Sequence, residues 1–290
     1  MEKYKVVIIG SGIAGMTAAI YLKRGGIEPL IIENNAPGGT LNFIPKVENY
    51  PGYTSISGPD LAMNIYNQVN SLGIKYLFSD IKEIDLENRI IDNKIEYDYL
   101  IIATGRKHKL LNLDNEKELL GRGVSTCSLC DGNFYKDKDV VVVGGASSSL
   151  TESLYLSAIC NKVTIIHRRD SFTGESYLID KVMNTDNIDV IYNSNIVKYN
   201  TSDNKLISVT LDNGDVINTS GVFMAIGSTP NSDLFDVEKD NNYIIVDDKY
   251  ETNIDNVFAV GDVIKKDYYQ LVNASSEGMI VASNIIKREK

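Results

Sequence analysis

The stretch KVVIIGSGIAGMTAAIYLKRGGIEPLIIE, Lys5 to Glu33, returns later in the chain as DVVVVGGASSSLTESLYLSAICNKVTIIH, Asp139 to His167. A constant offset of 134 (33 to 167) sets Gly10 on Gly144, Gly12 on Ala146, Gly15 on Ser149, Tyr21 on Tyr155 and Glu33 on His167. Each copy reads as one unit. A β-branched run (Val6–Ile9; Val140–Val143) is a buried parallel strand. A glycine turn then opens a helix, and a second β-branched run (Leu30–Ile32; Val163–Ile166) closes strand–helix–strand. The repeat predicts an α/β chain of two Rossmann-like, three-layer nucleotide-binding domains.

The segments around the two copies fit that architecture. Gly58 to Leu72 has helical apolar spacing. Ile74 to Leu100 holds short runs broken by Asp and Asn, as a β-meander would, and Tyr99–Ala103 is another buried strand. Val190 to Val222 alternates and turns at Asp212-Asn213-Gly214, a hairpin signal. Val257–Val260 is a further strand, and Asn273 to Lys290 reads as a helix. The second copy is expected as an insertion into the first domain: residues 1–112 and 244–290 form one domain, 113–243 the other.

Composition narrows the partners. At 290 residues, with 43% hydrophobic and 23% charged residues, the chain can fill two ordinary soluble domains. The net charge of −10 argues against nucleic acid or an anionic membrane as a partner. No apolar run reaches the roughly eighteen residues of a membrane span. Three cysteines are too few, and odd in number, for a secreted disulfide framework. The expected compartment is the cytoplasm, where a cycling disulfide is at home and a permanent one is not.

The first loop, Gly10-Ser-Gly12-Ile-Ala14-Gly15, follows a strand and opens a helix. Its first glycine makes the tight turn, its second lets backbone approach a pyrophosphate, and its third lets helix pack on strand. The helix start faces the phosphates with partial positive charge. Glu33 ends the next strand, where a carboxylate accepts from ribose hydroxyls.

Further segments carry a family resemblance. ENNAPGGTL (Glu33–Leu41), VENYPG (Val47–Gly52), ATG (Ala103–Gly105) and TNIDNVFAVGDV (Thr252–Val263) resemble the FAD-dependent pyridine nucleotide-disulfide reductases. GRGVSTCSLCDG (Gly121–Gly132) narrows the match to the low-molecular-weight thioredoxin reductases, over nearly the whole chain. The resemblance implies FAD in the first domain. Gly38, Gly39, Thr40 and Asn49 would lie along it, with Ala103, Thr104 and Gly105 beside it. Gly261 and Asp262 would meet its ribityl or phosphate region, and Gln270 would lie near the flavin ring. It also implies a homodimer, and an inserted domain that rotates to present its cysteines alternately to flavin and to substrate.

Cys127 and Cys130, followed by Asp131, can close a small disulfide at a helix start. The helix terminus lowers a thiol pKa and so supplies a nucleophilic thiolate. One thiolate attacks a partner disulfide and the other resolves the mixed disulfide, while Asp131 can supply or remove the proton. The resemblance assigns the partner as a thioredoxin-like protein, places Cys130 nearer the flavin and gives Cys127 the attack. A zinc site would need four ligands, and Cys160, His108 and His167 lack ligand spacing. No metal is expected, and Cys160 reads as a core thiol.

The second loop differs where it matters for the electron donor. His167-Arg168-Arg169 stands in place of Glu33, and guanidinium groups there attract a 2′-phosphate, which points to NADPH on Gly144, Gly145, Ser147 and Ser148. Yet Ala146 puts a Cβ where the backbone should approach a pyrophosphate, which can cost about 1–3 kcal/mol. Relatives carry a further arginine where Thr173 stands, and an arginine where Tyr269 precedes Gln270. Two donors therefore stay open: NADPH, or an iron–sulfur protein such as ferredoxin. A non-catalytic redox or nucleotide sensor is a third reading, disfavoured by the intact Cys127-Cys130-Asp131.

Overall fold

The structure is a computed structural model and describes residues 1–44 and 46–290. It divides into two compact units, Met1–Lys107 with Thr229–Lys290, and His108–Ser228.

The first unit is built on a seven-stranded sheet. Glu2–Ile9 pairs in parallel with Pro29–Glu33 on one side and Ile95–Ile102 on the other. Lys75–Phe78 extends the first edge, and Val257–Ala259 pairs in parallel with Ile95–Ile102. Alternate residues of these strands serve opposite faces. Ile8, Ile31 and Ile101 pack under the helices Ile13–Arg24, Gly58–Ser71 and Leu271–Arg288. Val7, Ile9, Ile32 and Ile102 pack under the meander, with Ile91, Ile95 and Tyr97. The apolar runs are continuous because both faces are covered.

The second unit repeats the plan. Its five-stranded sheet runs Ile188–Ile191, Lys162–Ile166, Asp139–Val143, Gly221–Met224, Val124–Ser125, all parallel. Helices Ser147–Ser157 and Ser176–Met183 cover one face, through Leu150, Leu156, Leu178 and Val182. A three-stranded antiparallel sheet covers the other through Tyr199, Leu206 and Val209. The turn at Asp212-Asn213-Gly214 joins two of its strands, Lys205–Leu211 and Val216–Asn218.

The unit boundaries differ from the sequence expectation, at 107 rather than 112 and at 228 rather than 243. Both shifts have a packing cause. Leu110, Leu111 and Leu113 pack on the second unit's core. There the buried Glu116 carboxylate accepts from Leu111 N (3.1 Å), Asn112 N (2.5 Å) and the Tyr199 hydroxyl (2.6 Å). Conversely, Phe235 and Val237 are buried in the first unit's core.

Candidate active site and nucleotide cradles

Several of the first-unit residues singled out from sequence, Gly10, Gly12, Ala14, Gly15, Gly38, Gly39, Ala103 and Gly261, meet at the start of helix Ile13–Arg24. Gly38 N donates to Ser11 O at 2.8 Å. A Cβ on Gly39 would stand 3.4 Å from Gly12 Cα, and one on Gly261 would stand 3.1 Å from Ala14 Cβ. Gly10 has φ +102°, and a Cβ there would lie 2.4 Å from Ala103 O. A Cβ on Gly15 would lie 2.1 Å from Gly10 O. These two glycines are required by close packing of strand, turn and helix.

Gly12 is different. Its φ is −68°, it caps the helix with no side-chain hydrogen bond, and an added Cβ meets nothing within 4 Å. The helix start is thus an open cradle of backbone, the shape a pyrophosphate needs. The residues present fit the FAD that the resemblance implies.

Around this cradle the chain is tied by hydrogen bonds. Glu33 Oε2 accepts from Ser11 N and Ser11 Oγ, both at 2.8 Å, and Oε1 accepts from Asn34 N and Asn35 N. Glu33 therefore organises its own loop, and the rotatable Ser11 hydroxyl is the donor that can turn away to free a lone pair for ribose. Asn49 Nδ2 donates to Gln270 Oε1 at 3.2 Å, which brings those two predicted residues together. Thr104 Oγ1 donates to Asn231 O at 2.6 Å, and Asn231 N donates to Gly105 O at 2.9 Å. Thr40 is exposed in the 3-10 turn Gly39–Phe43. Tyr269 sits against two cations, Arg106 at 5.2 Å and Lys266 at 5.5 Å from its ring.

Sequence reasoning missed the pair that holds Asp262. Glu277 Oε2 accepts from Gly261 N at 2.7 Å, and both its oxygens accept from Lys266 Nζ, at 2.9 and 3.0 Å. Lys266 also lies 3.8 Å from Asp262. The Glu277 side chain is 5% exposed and that of Lys266 12%. Breaking a buried pair strands a charge, at about 3–5 kcal/mol. Glu277→Ala is expected to lower the stability of the FAD-free protein by that amount in urea melts, and a loss below about 1 kcal/mol would contradict the assignment.

In the second unit, Cys127 and Cys130 form a disulfide with Cα atoms 5.3 Å apart. Cys127 caps the turn of helix Ser128–Asp131, and its Sγ accepts from Cys130 N at 3.0 Å. Asp131 N donates to Cys127 O at 3.1 Å. Cys127 N donates to Ser125 Oγ at 3.0 Å, fixing the strand that enters the turn. Cys127 is buried and Cys130 exposed. Burial, aided by the Asp131 charge, raises the Tyr135 hydroxyl above its ordinary range. Cys160 is a buried free thiol, pushed up to about 11 mainly by burial, and so inert as a nucleophile.

The second glycine loop is packed more fully than the first. A Cβ on Gly144 would meet Ala225 O at 2.5 Å and Ser149 Cβ at 2.6 Å. Ser149 is fully buried, with its hydroxyl on Ala146 O. A Cβ on Gly145 would strike the His167 ring at 2.2 Å. His167 is buried, with Nε2 3.0 Å from Ser171 O and its ring near Phe172. It supports the loop from the core side. Residues 173–175 lie against the loop: Thr173 N donates to Gly145 O at 2.7 Å, and Glu175 N to Ser147 Oγ at 3.0 Å. Ala146, Ser148, Arg168 and Arg169 are exposed. Neither guanidinium has an ion-pair partner among the described residues.

No group of three or more His, Cys, Asp or Glu among the described residues could hold a metal ion, and no helix is long and apolar enough to cross a membrane.

Comparison with known proteins agrees with this geometry. Residues 4–278 match the family described as pyridine nucleotide-disulphide oxidoreductase. The chain is 40% identical over 301 residues to a thioredoxin reductase of Rickettsia typhi, covering 98% of this chain and 97% of that one. It is 37% identical over 295 residues to a thioredoxin reductase of Bacillus subtilis, covering 97% and 93%. The solved thioredoxin reductase of Lactococcus lactis (FR conformation) matches with a TM-score of 0.85 at 35% identity, over 98% of each chain.

Proposed function

The chain belongs to the pyridine nucleotide-disulphide oxidoreductase family, and from that premise we propose that it is an FAD-dependent thioredoxin-disulfide reductase with NADPH as donor. Its Cys127–Cys130 pair reduces the disulfide of a thioredoxin-like protein. The observation that carries this reading is the Cys127–Cys130 disulfide itself, at the start of a helical turn that ends in Asp131.

When bound, FAD supplies a two-electron carrier for the pair. The chain's own residues do the rest. Gly12, Gly38, Gly39, Gly261 and Asp262 would form the cradle, and Asn49 and Gln270, joined to each other by a hydrogen bond, would lie along the cofactor. In the reduced protein the Cys127 thiolate attacks one sulfur of the partner disulfide. That bond breaks, a mixed disulfide forms, and the departing partner thiolate takes a proton. Cys130 then attacks Cys127 Sγ, the Cys127–Cys130 bond re-forms, and the second partner thiol leaves with its proton. Asp131, next to Cys130, is the proton donor in this scheme. Catalytic release of thiols from oxidised thioredoxin by the FAD-loaded protein and NADPH tests the reading. NADPH consumption that leaves the thioredoxin disulfide intact would count against it.

The exposed Arg168 and Arg169 support NADPH as donor. Ala146 and the 173–175 segment against Gly145 and Ser147 support the other reading, a ferredoxin-like donor. Ala146→Gly with Thr173→Arg decides how far the loop limits NADPH. The double variant is expected to lower the Michaelis constant for NADPH about tenfold, by removing a Cβ at the phosphate approach and adding a guanidinium. An unchanged constant would mean that these positions do not limit binding. We place the enzyme in the cytoplasm as a homodimer, on the family resemblance and the low cysteine count.

A further inference from the structure

Two tyrosines and an arginine from three separate stretches meet where the chain turns into Gln270. Tyr243 lies in the short strand Tyr243–Ile244, beside which Lys265 N donates to Ile244 O at 3.1 Å. That pairing carries the Tyr243 ring to within 5.7 Å of the Tyr269 ring. The Arg106 guanidinium stands over both, 5.7 Å from the Tyr243 centroid and 5.2 Å from that of Tyr269. All three side chains are half-buried and belong to the unit Met1–Lys107 with Thr229–Lys290. These are the distances of a cation held on aromatic faces, and the planar guanidinium suits such faces better than an ammonium does.

The place of the cluster gives it a use. Arg106 follows Ala103-Thr104-Gly105 and Tyr269 precedes Gln270, the segments proposed to lie beside FAD and near its ring. Relatives carry an arginine at 269, whereas here that position is tyrosine and the guanidinium on its ring comes from 106. An aromatic face holds a cation without cancelling its charge, and a carboxylate cancels it. Two nearby ammonium groups are cancelled in that way. Lys266, 5.5 Å from the Tyr269 ring, is held by Glu277 at 2.9 and 3.0 Å, and Lys107 is paired with Asp233. Two-electron reduction takes up one proton and leaves a flavin with one negative charge at neutral pH. Charge beside the ring is therefore a lever on that equilibrium.

Resting on the functional reading above, we propose that Arg106, held by Tyr243 and Tyr269, supplies the positive charge that favours the reduced over the oxidised form of the bound FAD. The charge attracts the anionic reduced ring and gains nothing from the neutral oxidised one. Only such a difference between two forms can move the equilibrium between them.

The test reads the reduction equilibrium of bound FAD by anaerobic absorbance against a reference dye, with dithionite as reductant. It is run in the Cys127→Ser background, where no disulfide competes for the electrons. Arg106→Gln keeps much of the side chain's bulk and loses its charge, and is expected to shift the equilibrium about tenfold toward oxidised FAD, about 30 mV for a two-electron couple. Arg106→Lys keeps the charge and is expected to stay within about threefold of the reference. Arg106→Gln with Tyr269→Arg returns a cation to the same place and is expected to recover to within about threefold as well. An unshifted Arg106→Gln overturns the proposal. So does an Arg106→Lys or a double variant that shifts as far as Arg106→Gln, since charge would then not be the cause. If Arg106→Gln does not hold FAD, Tyr269→Arg alone takes its place. It adds a second cation and is expected to move the equilibrium about threefold toward reduced FAD, and no movement overturns the proposal. An unshifted Arg106→Gln beside intact thioredoxin reduction by the wild type ends this proposal and leaves the functional reading standing. A wild-type protein that takes up no FAD ends both.

Discussion

Replacing either Cys127 or Cys130 with serine is expected to abolish reduction of a thioredoxin disulfide while leaving the protein yellow. The cysteines lie in the unit His108–Ser228, whereas every residue proposed for the FAD cradle lies in the other unit. Serine differs from a thiol by one atom and leaves the packing of the turn in place. Cofactor content should therefore match wild type, while turnover falls to background, because a single remaining thiol cannot return to a disulfide within the chain. The two variants should differ in one respect. Cys130→Ser keeps the attacking thiol and is expected to accumulate a mixed disulfide with thioredoxin, visible by mass, whereas Cys127→Ser is not. Trapping by Cys127→Ser instead would reverse the two roles.

Gly12→Val is expected to leave the fold intact and to cost FAD binding about a hundredfold or more, the effect of overfilling a tight contact. The backbone at Gly12 has φ −68°, which any residue adopts, and an added Cβ touches nothing within 4 Å. Gly10 and Gly15 lack that freedom, since a Cβ on either would collide with backbone. The second repeat makes the substitution naturally, with an exposed Ala146 at the position equivalent to Gly12. So the chain's own fold does not require glycine at 12, whereas the FAD proposed to back onto the helix start would require it. The FAD-free melting temperature of Gly12→Val should match wild type. A variant that binds FAD as wild type does would remove the cradle from this account.

Much of the architecture was legible because it is periodic and repeated. Strand–glycine loop–helix–strand occurs twice at one offset, and the two parallel sheets follow it, with Glu2–Ile9 and Asp139–Val143 each flanked by the strand that closes its repeat. The Asp212-Asn213-Gly214 turn and the cysteine turn also announced themselves locally. What stayed hidden depends on contacts between residues distant in sequence. Glu277 reaches Gly261 from the C-terminal helix, and Glu116 reaches Tyr199 across 83 positions. A glutamate in a helix reads as a solvated face until its partner is seen. The two compact units divide at residues other than the expected ones for the same reason. The connecting segments carry no Pro- or Gly-rich linker, and Leu111 or Phe235 shows its allegiance only by what it packs against. Of the second loop, the sequence disclosed the substitutions but not that His167 turns inward against Gly145, nor that residues 173–175 lie against the loop.

The most direct test of the central claim, that electrons held by the bound flavin reach the Cys127–Cys130 pair and leave through it, is an anaerobic absorbance titration. NADPH is added to the FAD-loaded protein until the flavin bleaches, and oxidised thioredoxin is then added with no further donor. The account predicts that the yellow colour returns in proportion to the thioredoxin added in wild type, and does not return in Cys127→Ser. A wild-type flavin that bleaches and stays bleached in the presence of oxidised thioredoxin would contradict it.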